Sequence, residues 1–220
     1  MCGRMTLATD EVELKARFHL DVTGEIVKRY NVYPNHDTYK LPVITEEEPN
    51  KISMFYWGIV PVWWTRDERG LINVKYETLR DKKTFHKDLA ERRCLVLADG
   101  FYEWKRAGKG KVPYRIALKT EEPFAFAGIW STVHDARGVV HPTFAILTTE
   151  ANALVAQIHT RMPVILREQD EAAWLNPRLS LDEAQVLLVP LPADRLMMYE
   201  VSPKVNSPAF NVPEALQPVA

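Results

Sequence analysis

An α+β fold, β-rich with a curled antiparallel sheet or barrel flanked by short helices, is what this sequence predicts, and three observations predict it. Strand-like runs follow one another at residues 40–44, 52–57, 93–97, 114–118, 124–130 and 143–147, with few helical stretches between them to serve as crossovers. In the run at 124–130, Phe124, Phe126 and Trp130 share one face at period two, as a half-buried strand requires. The chain of 220 residues, 46% hydrophobic, suits one domain with one sizeable core.

Taken in order, residues 10–20 read as an amphipathic helix with Val12, Leu14 and Phe18 among its apolar positions and an acidic first turn. Further helical patterns fall at about 85–92, 150–158 and 170–175. Another begins at Ser180, where Ser180 and Glu183 form a capping-box signature. No repeat, low-complexity tract or linker divides the chain, so residues 1–220 are expected to form one domain. The segment after Glu200, dense in proline and asparagine, is expected to be an extended surface tail.

The charges nearly cancel, 28 Lys and Arg against 29 Asp and Glu, so nothing global attracts nucleic acid or an anionic membrane. A polyanion site must be a local basic patch. Met1-Cys2-Gly3-Arg4-Met5 lacks the apolar run of a signal peptide, and no stretch is long enough to span a bilayer. A cytoplasmic, reducing setting is expected, with no disulfide between Cys2 and Cys94. No CxxC or HExxH spacing appears, and neither metal nor cofactor is expected.

Cys2 is the first candidate for chemistry. Trimming of Met1 would leave an α-amine and a thiol on adjacent carbons, with reference pKa values near 8 and about 8.5. Such a 1,2-aminothiol has two uses. Its thiol attacks an acyl group with the amine as base, or its amine condenses with an aldehyde and the thiol closes a five-membered thiazolidine. The competing reading is an idle residue at a loose terminus. Gly3, which permits close backbone approach, and Arg4, an anion contact, weigh against it.

Four other segments carry candidates. Glu103 follows an Asp99-Gly100 turn in an aromatic run, where a raised pKa would suit general acid/base work; an exposed glutamate on an amphipathic strand is the plainer alternative. His159 and Arg161 stand at a helix exit before Pro163, placed either to protonate a leaving oxygen and hold a phosphate or simply to cap the helix dipole. Asn73 suits either a hydrogen bond to a reacting centre or an Asx-turn, and Lys75 on the same strand face could meet a phosphate. Trp63 and Trp64, adjacent and so facing opposite ways, cannot both fill one core site; one presents a ring to solvent or to an unstacked base, while Trp57 fits core packing.

Together these segments resemble the SRAP (SOS response-associated peptidase) family of abasic-site-processing proteins. The resemblance rests on Met1 to Arg4, Tyr30 to Pro34, Trp57-Gly58 with Pro61 and Trp63-Trp64, Asn73 to Thr78, Ala98 to Trp104, Thr148 to Asn152, His159 to Pro163, and Val201-Ser202 with Val205-Asn206. It implies a β-rich SRAP domain with a basic channel for single-stranded DNA. It also implies a catalytic set of Cys2, Asn73, Glu103 and His159. Arg4, Lys75 and Arg161 fall at phosphate-contacting positions, Thr148 among the DNA-binding ones, and Pro34, Trp63 and Trp64 at positions that stack on or wedge the strand. Lys75 stands where arginine is usual, which turns a forked phosphate contact into a point charge. Tyr76 and Tyr33 replace smaller residues.

The activity so implied is covalent capture of an abasic site in single-stranded DNA by a monomer, with no membrane involved. One rival makes Cys2 a peptidase nucleophile with His159 as base and Asn73 as orienter, self-removal of Met1 being a limited form of it. A second rival is a non-covalent single-strand binding module.

Overall fold

The computed structural model describes residues 2–34, 40–59, 70–79, 91–134 and 137–219. The expected helix at 85–92 lies almost wholly outside these residues, as do Pro61, Trp63 and Trp64.

The chain opens with strand β1 (Met5–Leu7) and helix α1 (Glu11–Phe18). Asp10 starts α1 through a reciprocal capping box with Glu13, and His19 ends it in the left-handed conformation at φ 55°. Strands β2 (Asp21–Val22), β3 (Arg29–Val32), β4 (Leu41–Thr45) and β5 (Lys51–Trp57) follow. After β6 (Asn73–Lys75) and the single turn of α2 (Tyr76–Leu79) come β7 (Arg93–Ala98), β8 (Gly100–Ala107), β9 (Gly110–Leu118), β10 (Phe124–His134) and β11 (Val140–Glu150). The C-terminal third holds β12 (Arg161–Pro163), α3 (Glu168–Leu175), α4 (Leu181–Leu187) and β13 (Leu196–Glu200).

Strands β5, β4, β7, β10 and β11 pair antiparallel in that order. β11 then meets β5 in parallel, Thr143 beside Tyr56 and Phe144 beside Trp57. The ring closes into a five-stranded barrel, which removes the sheet edges that would otherwise be exposed. Closure is marked by Trp57, fully in the core, stacked on Phe144 at 6.2 Å and donating its indole N–H to Ile72 O at 2.9 Å. A second sheet runs β13-β9-β8-β1-β3.

The half-buried strand expected at 124–130 is buried on both faces from Phe124 to Ser131. Phe124, Phe126 and Trp130 enter one cluster together with Met5, Phe101 and Ile116 of the second sheet. Ala125, Ala127 and Ile129 enter another with Leu14 of α1 and Trp174 of α3. Small residues on one side and rings on the other let a central strand serve two packing layers. Gly128 belongs to this arrangement, since a Cβ there would stand 2.9 Å from Cys94 Sγ.

Two expected elements take other forms. At 150–158 a 3-10 turn (Val155–Gln157) replaces the helix. Asn152 Oδ1 accepts the N–H groups of Leu154 and Val155, and its Nδ2 donates to Leu191 O at 2.7 Å, so the side chain satisfies the local backbone and limits the helix to one turn. The segment after Glu200 is folded rather than extended. It makes 3-10 turns at Pro203–Asn206 and Pro213–Leu216, and Val201, Val205 and Ala215 are buried against Tyr102. The Tyr102 hydroxyl donates to Tyr30 O at 2.7 Å, with Ala215 O at 3.1 Å.

A candidate active site around Cys2

β1 and β8 bring the N-terminus to the catalytic candidates. Met5 pairs with Phe101 and Thr6 with Gly100, and Tyr102 N–H donates to Arg4 O at 3.0 Å. Continued outward, this register lays residues 2–4 along Tyr102, Glu103 and Trp104. Glu103 shares the Phe101 side of β8 by period-two alternation and is buried, as is Cys2. β6 pairs in parallel with β11, Asn73 beside Ile146, which carries Asn73 to the same place.

The contacts are specific. Asn73 Nδ2 donates to the Cys2 carbonyl at 2.6 Å. Asn73 Oδ1 is buried and receives no hydrogen bond from a described residue. Cys2 Sγ lies 3.5 Å from Arg4 O, a weak thiol donation. Burial pushes the Cys2 thiol well above its usual range, and the neighbouring Glu103 carboxylate pushes it further the same way. The sulfur is therefore held as neutral thiol beside a carboxylate.

His159 follows the 3-10 turn that Asn152 starts. Its N–H donates to Val155 O at 2.9 Å, while Ala151 N–H donates to Thr160 O at 3.0 Å and closes the loop. Nδ1 of the ring sits 3.0 Å from both N and O of Arg161. Glu103 and His159 line one open groove of about 900 Å³, with Trp104, Thr160 and Asn206.

Arg161 makes a two-pronged pair with Glu77, at 2.6 and 2.7 Å, and its Nη2 also donates to Thr148 O at 2.5 Å. Thr148 is fully buried and pairs with Lys75 across β11 and β6, so its contribution to a ligand would run through Arg161. Lys75 is exposed. Arg4 is anchored elsewhere: it donates to Asn31 Oδ1 at 2.7 Å and Val205 O at 2.8 Å, with its guanidinium 5.7 Å from the Tyr33 ring and 5.9 Å from the Trp104 ring. Pro34 follows Tyr33 at the described edge of that loop.

The structure sets Asn73 and Glu103 against Cys2, Glu103 and His159 along one groove, and Arg161 against Thr148 with Lys75 opposite; sequence reasoning gave Glu77 and Asn206 no role. Glu77 fixes the Arg161 fork. Asn206 accepts from Arg4 through its carbonyl at 3.3 Å and from Trp104 Nε1 through its side chain at 2.7 Å. Both stand in segments that carry the family resemblance, but their partners Arg161 and Trp104 lie 84 and 102 residues away, so no local pattern signalled the contacts.

Two buried thiols carry a pH consequence. Cys94, like Cys2, is pushed up by burial. Unfolding returns each to an ordinary value of about 9. As pH rises past that value the unfolded chain loses protons that the folded chain keeps, and stability falls by up to about 1.4 kcal/mol per pH unit for each thiol. Urea unfolding followed from neutral to alkaline pH is expected to show this decline, and Cys94→Ala to make it shallower. An unchanged slope in that variant would refute the assignment.

A closed five-stranded barrel joined to a second sheet thus sets an N-terminal cysteine segment against Asn73 of β6 and Glu103 of β8. The chain belongs to the SRAP family: the family model, SOS response associated peptidase (SRAP), matches residues 1–208. It is similar to the abasic site processing protein YoqW of Bacillus subtilis, 40% identical over 99% of each chain. It is also similar to the abasic site processing protein YedK of Escherichia coli, 30% identical over 100% of each. A crystal structure of a protein from Bacteroides thetaiotaomicron superposes with a TM-score of 0.88 at 28% identity, covering 100% of both chains. Among the described residues no helix is long and apolar enough to cross a membrane.

Proposed function

We propose that this protein processes abasic sites in DNA by capturing them covalently through Cys2. The observation that carries the reading is the convergence on one residue: Asn73 holds the Cys2 carbonyl at 2.6 Å while Glu103 stands beside its thiol. The relatives at 40% and 30% identity, both abasic site processing proteins, suggest the substrate class.

The chemistry balances without a redox partner. With Met1 removed, the Cys2 amine adds to the aldehyde carbon of the ring-opened sugar, forming a C–N bond. Loss of water gives an imine. The thiol then adds across the C=N bond, sulfur to carbon and proton to nitrogen, and a thiazolidine results. Glu103 moves protons during addition and dehydration and takes the thiol proton as sulfur attacks. His159 delivers a proton to the sugar oxygen on ring opening. Arg161 and Lys75 receive flanking phosphates, Arg161 by exchanging its Glu77 partner for phosphate oxygens. The two groups of Cys2 are pre-joined, so ring closure is intramolecular.

The peptidase alternative asks for a thiolate, which a cationic neighbour stabilises and a carboxylate does not. Burial and Glu103 both oppose it. The capture reading needs only a neutral thiol that adds last.

A denaturing gel with abasic single-stranded DNA tests the reading. Wild type is expected to give a stable shifted band, and Cys2→Ala none. A band of equal strength from Cys2→Ala, or turnover of foreign peptides without DNA, would overturn it.

A further inference from the structure

We infer that the β8–β9 hairpin is a second phosphate-binding element, an arm that holds the nucleic-acid strand a few nucleotides beyond the captured lesion. The inference rests on the single-stranded DNA reading above and extends its footprint.

The hairpin leaves the candidate site directly. Glu103 lies on β8, and the strand runs on through Trp104 and Lys105 to a two-residue loop, Gly108-Lys109, between Ala107 and Gly110. Gly108 takes φ +57° there, a conformation glycine adopts without strain. From Glu103 to the tip is four residues, roughly 13 Å of strand.

This short arm carries Lys105, Arg106, Lys109 and Lys111, all exposed. No acidic residue stands between Glu103 and Glu121. Some surface cations elsewhere are matched with carboxylates, Lys15 with Glu11, Lys28 with Asp10, Lys51 with Glu48 and Arg167 with Asp170, while Lys119, Arg178, Arg195 and Lys204 stand exposed and scattered. None of the four arm cations makes an ion pair with a described residue. Arg106 and Lys111 also stand directly opposite each other across the ladder. Like charges so placed destabilise a strand pair, and no described carboxylate pairs with either.

The groove shows what would offset this repulsion. Lys105, Arg106 and Lys111 line the same cavity of about 900 Å³ as Glu103 and His159. A polyanion threaded past the reactive residues meets the arm in continuous contact, and its phosphates screen the opposed cations. On a chain whose total charge is −1, this is a local field rather than a general one. Lysine and arginine without base-reading partners hold backbone, not sequence.

The test neutralises the arm with Lys105→Gln, Arg106→Gln, Lys109→Gln and Lys111→Gln together, and reads salt dependence. Single-stranded pentanucleotides with a central abasic site are compared with strands extended on the 5′ or the 3′ side, each alongside the same strand bearing an intact base. Four lost contacts at about 0.7 each should flatten the slope of log affinity against log salt by roughly 2–3 on one extended strand, and by clearly less on the pentanucleotide, which reaches only the base of the arm. Equal slopes on every strand, or the same loss on the pentanucleotide, would overturn the arm. Thermal unfolding checks the fold, and the midpoint should hold or rise as the Arg106–Lys111 repulsion is removed; Lys109→Gln with Lys111→Gln alone gives a milder variant with half the effect. Arm-dependent binding by a wild type that forms no covalent adduct would remove the capture reading and keep the arm. Wild type that binds no strand at all would overturn both.

Discussion

A chain carrying even one residue ahead of Cys2 is expected to form no stable adduct with an abasic strand, although its thiol is intact. The nitrogen is the reason. In a peptide bond its lone pair is delocalised into the carbonyl, so it neither adds to an aldehyde nor loses water to an imine. The thiol alone gives a hemithioacetal, which reverses on denaturation. Asn73 grips the Cys2 carbonyl and so fixes the residue from its C-terminal side, leaving the N-terminal side as the reacting one. The comparison is between protein with Met1 retained or a short extension, the same protein after release of that extension, and Cys2→Ser. The extended form should fall to the level of Cys2→Ala, and release should restore the adduct. Cys2→Ser keeps the amine and should yield an imine trapped by borohydride but no band without it. Intact mass spectrometry resolves all three. Wild-type yield from the extended, unprocessed protein would defeat the proposed order of events and return the thiol to the role of first attacker.

The parts of the molecule legible in the sequence are those set by local pattern. The Asp99-Gly100 turn and the alternation of Phe101, Tyr102, Glu103 and Trp104 fixed a strand and sorted its faces, and Glu103 falls on the Phe101 side with Cys2 nearby. The amphipathic pattern from residue 10 and the capping box at Ser180 mark helix starts where the structure has them. What local pattern missed is settled over distance. Nothing in 150–158 announces that Asn152 will hold Leu191 O and its own backbone at once. The tail past Glu200 looks polar and proline-rich in isolation; it folds because Asn31 Nδ2 meets the carbonyls of Val205, Ser207 and Phe210, and Asn211 Oδ1 accepts the N–H groups of Tyr30 and Asn31. Those partners are more than 170 residues apart. A curled antiparallel sheet or barrel was expected, but the parallel closure of β11 on β5 depends on a register that no stretch of either strand encodes alone.

Asp99→Ala should cost about 3–5 kcal/mol of folding stability, the range for breaking a buried charge pair from one side. Asp99 is 5% exposed and Arg115 7%. The carboxylate accepts from Thr6 Oγ1, from the N–H groups of Ala8 and Thr9, and from Thr9 Oγ1, and faces Arg115 Nη2 at 3.4 Å. Its removal strips the stretch after β1 of its acceptors and leaves the guanidinium buried, still tied to Tyr199 Oη at 2.9 Å but without a counter-charge. Arg115→Met in the Asp99→Ala background removes that stranded charge and should recover part of the loss, a non-additivity expected of contacting partners. Urea titration of the two single variants and the double variant measures the coupling, and additive losses would show that the pair is not a unit. The consequence reaches the candidate site. β1 is three residues long, and Asp99 holds it at one end while Cys2 leaves from the other. Capture by Asp99→Ala should therefore fall off with temperature or urea in step with unfolding, and match wild type under conditions where the variant is fully folded. A lesion-capture defect persisting in the fully folded variant would instead make Asp99 a positioning residue for Cys2, held through β1.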